Sequence, residues 1–173
     1  MSAYEEIWGV AEDNFGIITS KKAVEMGISR QCVRALAESG RLFRLGHGVY
    51  QVHHHVPGRF DAFAAAVAMV GETGYVRGAS VIALLELCPT NPGLMYIGAK
   101  ARVRRRLPKG YVLRDMHETP VVEYERIPCQ RLYEALRESA EEGTVEGDRI
   151  AEAARVAREK GLLTDEECAE FQG

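Results

Sequence analysis

Four glycines, Gly27, Gly40, Gly46 and Gly48, cut the stretch from Ile18 to Val52 into short pieces. Read in order, these pieces are two short helical patterns, a glycine turn between them, and a hairpin cornered by glycine. That is the order of a winged helix-turn-helix, which makes double-stranded DNA the first partner to test.

The spacing predicts a first helix over Lys21–Met26, opened by Thr19 or Ser20, whose side-chain oxygens can accept from the free N–H groups of the first turn. Ala23 and Val24 are its expected buried residues. Gly27 then supplies a turn, Ile28 is expected to fill the space between the helices, and Ser29 caps the second helix. That helix, Arg30 to about Ser39, places Val33, Leu36 and Ala37 on one stripe. Ser29, Arg30, Gln31 and Arg34 are left on the outward N-terminal part. A recognition helix meets base edges there, Arg pairing with guanine and Gln with adenine. Thr19, Ser20, Lys21 and Lys22 at the start of the first helix are expected DNA contacts as well, and the free N–H groups of the second helix's first turn favour a phosphate near Ser29.

After Gly40, two strands over Arg41–Gly46 and Val49–Val52 form the wing. By alternation Phe43 and Leu45 should face the helices and Arg44 the DNA backbone, with Leu42 a blemish on the side of Arg44. Arg41 can swing to a phosphate, and His47 at the tip can enter a minor groove. Exposed arginines are often no more than solvated, but their distribution matters. From Lys21 to Arg59 there are seven basic residues against two acidic ones, whereas the whole chain is −3.

The run ITSKKAVEMGISRQCVRALAESGRLFRLGHGVYQV resembles the N-terminal winged helix of the AbiEi family of type IV antitoxins. The residues that carry the likeness are Thr19, Ala23, Gly27, Ile28, Ser29, Gly40, Gly46, Gly48, Val49 and Tyr50. GYVRGASVIALLELCPTNPGLMYIG, RRRLPKGYVL and IPCQRLYEAL are more loosely similar to the family's second domain. The resemblance implies a repressor that binds inverted repeats upstream of its own two-gene operon; helix-turn-helix proteins commonly bind as homodimers, although two winged copies can also occupy paired sites without a stable interface in solution. It also implies a second domain that neutralises a cognate nucleotidyltransferase-like toxin.

The expected fold class is α+β: a winged helix-turn-helix over residues 1–55, a linker at 56–58, and a small mixed α+β domain over 59–173 with C-terminal helices. A leading helix, about Ala3–Asp13, should brace the winged domain with Trp8 in its core. The second domain should open with a buried helix from Asp61 to Val70. Ser80–Leu87 should be helical and Leu94–Ile97, Gly110–Arg114 and Val121–Ile127 strands. Helices should follow at Cys129–Ser139 and Asp148–Lys160, and Thr164 with Glu167 has capping-box spacing.

Between the strands lie Lys100, Arg102, Arg104, Arg105, Arg106 and Lys109, the densest basic run in the chain. Arg102, Arg104, Arg105, Arg106 and Lys109 are candidates for secondary phosphate contacts beside the wing. From Cys129 onward twelve acidic residues face six basic ones, so this tail should point away from DNA and toward a basic partner or another copy.

Other classes find less support. No P-loop, GxSxG or HExxH spacing is present. Asp115, His117 and Glu118, or Glu123 and Glu125, are the only clusters that could mimic a nuclease fragment, so no enzymatic activity is expected. The contrasting class is a protein-only adaptor that has lost DNA binding. The four cysteines are widely spaced and His53, His54 and His55 diverge along an extended chain, so free thiols and no metal or cofactor are expected. No apolar run is long enough to span a bilayer, and the acidic N-terminus lacks signal-peptide features, which points to the cytoplasm and away from membranes.

Overall fold

The computed structural model describes all 173 residues, which divide into two compact units. The first holds Met1–Glu72 together with Arg104–Lys109, and the second holds Thr73–Val103 and Gly110–Gly173. The first unit therefore extends past the expected linker at 56–58 and takes in the helix expected to open the second domain.

In the first unit, α1 (Ala3–Ala11) starts at a capping box in which Ser2 and Glu5 bond each other's backbone. A strand not anticipated from the sequence follows, β1 (Ile17–Thr19). Then come α2 (Ser20–Glu25), α3 (Arg30–Glu38), β2 (Leu42–Gly46) and β3 (Val49–Val52). The sheet order is β1-β3-β2, antiparallel throughout, with Ile17 opposite Gln51 and Thr19 opposite Val49. Helix, strand, two helices and hairpin in this order, with the first strand paired to the last, define a winged helix.

The helical core follows the expected stripe in part. Ala23, Ile28 and Val33 are buried in one cluster with Ile7, Leu42 and Tyr50, and Leu36 and Ala37 pack against its edge. Val24 departs from expectation and is exposed, because α2 has less than two turns and only Ala23 reaches the core. In the wing, Leu42 and Phe43 exchange their expected faces, while Arg44 is exposed as expected and Leu45 is half-buried. Leu42 is 1% exposed and joins the core, whereas Phe43 is 48% exposed and packs on the His53 ring. Regular antiparallel pairing sets this phase, since Leu42 lies opposite the buried Val52 and Phe43 opposite Gln51, and a bulge between Arg44 and Gly46 then leaves Leu45 without a partner.

Trp8, expected in the core, is 38% exposed and stacks on His54. The core volume it would have taken is filled by Tyr4, Ile7 and Ala11 on the other face of α1. The three consecutive histidines go to three partners: His53 to Phe43, His54 to Trp8, and His55 to the Asp61 carboxylate at 2.8 Å. Asp61 opens α4 (Asp61–Val70), and its carboxylate also accepts from the Gly58 N–H, so the expected linker is folded onto the helix start. Apolar on most sides, α4 packs on β1 and β3.

The second unit has a five-stranded sheet ordered β6-β5-β4-β8-β7 from β4 (Gly74–Val76), β5 (Met95–Ala99), β6 (Tyr111–Arg114), β7 (Val121–Tyr124) and β8 (Ile127–Gln130). β4 runs parallel to β8 and antiparallel to β5. α5 (Gly78–Leu84) packs against β5 and α6 (Leu132–Glu142), and α7 (Gly147–Glu159) and α8 (Asp165–Ala169) follow. Thr164 and Glu167 form the expected capping box. The strand expected over Val121–Ile127 is instead a tight hairpin, because Glu125 and Arg126 both adopt positive φ (49° and 63°) and reverse the chain. That hairpin makes β8 of Ile127–Gln130, which delays the next helix to Leu132.

A buried charge network crosses this unit. The Arg77 guanidinium, 2% exposed, donates to the carbonyls of Ile97 and Val112 and lies 3.4 Å from the Glu138 carboxylate. Arg114 pairs with Glu138 and Glu142, so two cations meet two anions. Such a set is stable only with its members together, since removing one leaves a buried charge uncompensated.

The exchanged faces of Leu42 and Phe43 have a direct consequence. Leu42→Ala should cost about 2 to 5 kcal/mol, as for a fully buried leucine. Phe43→Ala should cost less than about 1 kcal/mol. Urea unfolding of the two variants measures both, and equal losses would contradict the observed burial.

Candidate nucleic-acid interface

The chemistry of the first unit is set by how its two short helices begin. Thr19 ends β1 and caps α2, its hydroxyl accepting from the Lys22 N–H at 3.1 Å. Ser29 caps α3 in the same way, accepting from the Cys32 N–H at 3.1 Å. Between them Gly27 has φ +84°, a conformation that side chains resist, and the Ile28 N–H returns to the Ala23 carbonyl. Ile28 is thereby driven into the core and Ser29 is set at the head of α3.

Arg30, Gln31 and Arg34 then lie on the exposed side of α3, opposite Val33. None of the three is tied to another side chain of the protein, so their donors are open to an external acceptor. The wing turn is coupled to α2 rather than free. The Ser20 N–H donates to the Gly48 carbonyl at 2.8 Å, and Gly48 takes φ +67° to make the turn. His47 is exposed at its tip, and Arg44 is exposed with its Nε turned toward the Gly46 carbonyl at 3.3 Å.

The basic loop Arg104–Lys109 belongs to this unit. Arg105 donates to the Met69 carbonyl near the end of α4, and the Met69 side chain lies against Gly46 so closely that a Cβ there would sit 2.9 Å from its sulfur. Lys21 is close enough to Arg105 to feel its charge and forms an ion pair with Glu72. Hydrogen bonding to Glu72 raises the Lys21 pKa, and hydrogen bonding to Lys21 lowers that of Glu72. Wing turn, start of α2, end of α4 and basic loop therefore meet in one place. Arg104, Arg106 and Lys109 are exposed there, and Lys22 is exposed one residue along α2.

Two of the expected residues stand elsewhere. Arg41 lies over the Tyr4 ring, 5.5 Å from its centroid, at the end of β2 remote from the wing turn. Arg102 belongs to the second unit. The sequence reading missed Met69 and Glu72, which position the loop and offset Lys21. No local signal marks them, since both follow from the packing of α4 on the winged sheet.

The residues considered for a nuclease are engaged otherwise. The Asp115 carboxylate accepts from the Val103 N–H at 2.8 Å, and His117 Nδ1 is 2.7 Å from the Tyr75 hydroxyl. Burial lowers the His117 pKa and pushes that of Tyr75 up to about 12. Glu123 and Glu125 are exposed on and beside the β7 edge. No group of three or more His, Cys, Asp or Glu side chains is arranged to hold a metal ion.

Fold and surface together define the first unit as a winged helix with a basic, partner-free flank on α3. Residues 10–53 match the profile of the family described as transcriptional regulator, AbiEi antitoxin. That family is regulatory rather than enzymatic, in agreement with the resemblance seen in the sequence. No curated protein matches the chain. No helix is long and apolar enough to cross a membrane.

Removing the cap of α3 tests how much the exposed flank of that helix owes to Ser29. Ser29→Ala should destabilise the first unit by about 1 kcal/mol. Hydrogen exchange of the Cys32 amide should quicken, while the α7 amides of the second unit stay unchanged.

Proposed function

We propose that this chain is a sequence-specific DNA-binding regulator that represses its own operon as the antitoxin of an AbiE-like type IV pair. The observation that supports this most directly is the open flank of α3. Arg30, Gln31 and Arg34 project from the N-terminal half of a helix capped by Ser29, without internal partners. In a major groove those groups read base edges, Arg to guanine and Gln to adenine.

The remaining candidates take backbone roles. Thr19, Ser20, Lys21 and Lys22 at the head of α2, Arg44 and His47 on the wing, and Arg104, Arg105, Arg106 and Lys109 on the loop beside it form a basic border. Phosphate contacts of this kind set affinity and orientation but carry no direct sequence information. Arg102 can add to them only if its own unit lies along the same duplex. The second unit, with six basic and twelve acidic residues from Cys129 onward, is the part suited to a basic partner, and a nucleotidyltransferase-like toxin is the partner that the family resemblance supplies.

Titration against the DNA upstream of the chain's own gene separates these roles. Arg30→Ala and Arg34→Ala should each cost about 1 to 3 kcal/mol on the operator and little on unrelated duplexes. Arg44→Ala and Arg105→Ala should weaken binding to all sequences alike, each lowering the salt slope by about one unit. Identical behaviour of Arg30→Ala and Arg44→Ala would reject the assignment of helix to groove and wing to backbone. Flat, weak binding of the unmodified protein to every duplex would favour a protein-only adaptor.

Glu72 provides a test of opposite sign. Its carboxylate occupies Lys21, so Glu72→Gln should tighten DNA binding by about threefold at low salt and lose that advantage as salt rises. Anisotropy titrations at two salt concentrations read the difference.

A further inference from the structure

The first unit carries a second organised surface, at the end of its sheet away from the wing turn. Five rings follow one another across it. Phe43 meets His53 at 5.3 Å between centroids, His53 meets His54 at 5.0 Å, His54 meets Trp8 at 5.5 Å, and Trp8 meets Tyr4 at 6.1 Å. Arg41 lies over Tyr4, and all but Phe43 line a shallow open groove that Glu5 also borders. Phe43 and Trp8 are 48% and 38% exposed, so two large rings are held in place without being used by the core. Each ring is fixed by its neighbour, which lowers the entropy lost when something docks on them.

We propose that this groove is where two copies of the chain meet. Charge complementarity favours a second copy as the occupant. Arg41 and Glu5 have opposite signs, are both exposed, and border the same groove. A twofold axis through the rings sets Arg41 of each copy against Glu5 of the other, the self-complementarity an isologous contact requires. A surface of one sign would repel its own image.

Position favours the same occupant. Arg41 and Gly46 are separated by the length of β2, about 16 Å at the rise of a strand. The groove is therefore remote from the wing turn, and it adjoins the C-terminal end of α3 through Arg41, while Arg30 and Arg34 lie toward the N-terminal end. Two copies joined here keep both recognition flanks open, as paired half-sites demand, a consequence that rests on the DNA-binding reading. Five rings cover less area than a permanent dimer buries, so the association is weak in free solution and DNA carrying two half-sites strengthens it.

Trp8 is the chain's single tryptophan, so its emission reports on this groove alone. The test is sedimentation velocity on the full chain without DNA, from micromolar to near-millimolar, with Trp8 emission followed over the same range. A dimer should appear with rising concentration, and the emission should shift to shorter wavelength with the same midpoint.

Arg41→Glu and Phe43→Ala should each weaken association by about tenfold or more. Phe43→Ala keeps the test sound if a charge reversal disturbs folding, since Phe43 lies outside the core. A chain that stays monomeric at the highest concentration, or variants that associate as well as the unmodified protein, would overturn the proposal. Because DNA is absent from the experiment, its failure leaves the DNA reading standing. Arg30→Ala, expected to impair operator binding, should dimerise normally.

Discussion

Three residues at the start of the sheet hold the first unit together. Ile17, Ile18 and Thr19 pair with Gln51, Tyr50 and Val49, and this antiparallel contact turns a helix pair followed by a hairpin into one winged body. A two-stranded hairpin alone is marginal in water, whereas a third strand and a packed helix make it independent. Thr19 ends that strand and caps α2, so the direction of α2 is fixed by the sheet itself. The Ser20 N–H then holds the Gly48 carbonyl, and Met69 of α4 backs Gly46 from the next layer. The wing is thereby tied at both of its glycines.

The parts of this arrangement legible in the sequence are those decided by neighbours a few residues away. Gly27, Ile28 and Ser29 announce their turn, plug and cap because positive φ, apolar bulk and an accepting hydroxyl act within one turn of chain. The open flank of α3 follows from the same local spacing. β1 is invisible by this route, since three residues cannot show a period and their partners lie about thirty residues on. The phase of the wing is not local either, because Leu42 and Phe43 are both apolar and it is the pairing of Leu42 with the buried Val52, ten residues on, that decides which of them faces the core. The size of Trp8 favours the core, but Tyr4, Ile7 and Ala11 already fill the inward face of α1.

Longer-range choices escaped for a related reason. The apolar surround of α4 says that the helix is buried and not which unit buries it. The turn at Glu125 and Arg126 uses residues that seldom take positive φ, so nothing in the local composition signals a hairpin. The network of Arg77, Arg114, Glu138 and Glu142 joins positions up to sixty-five residues apart, and only the fold of the second unit makes them neighbours. Arg77 also clamps β5 and β6 through two carbonyls, which ties the charge network to the sheet's own register.

Charge on the first unit is sorted by what each group already touches, and this matters more than its sum. Lys21 is offset by Glu72, Arg44 leans on the wing turn, Arg105 is anchored to the end of α4, and Arg41 is spread over an aromatic ring. Each of these cations has a fixed place and a residual field, a combination suited to a phosphate or to an opposing charge at a set distance. Arg30 and Arg34 are different in kind, held only by the backbone of α3 and facing outward with unspent donors. Directional hydrogen bonds to a base edge need donors with no prior partner, because any bond already made inside the protein would have to be broken first. The division proposed between positioning and reading thus rests on which arginines the fold has left unengaged.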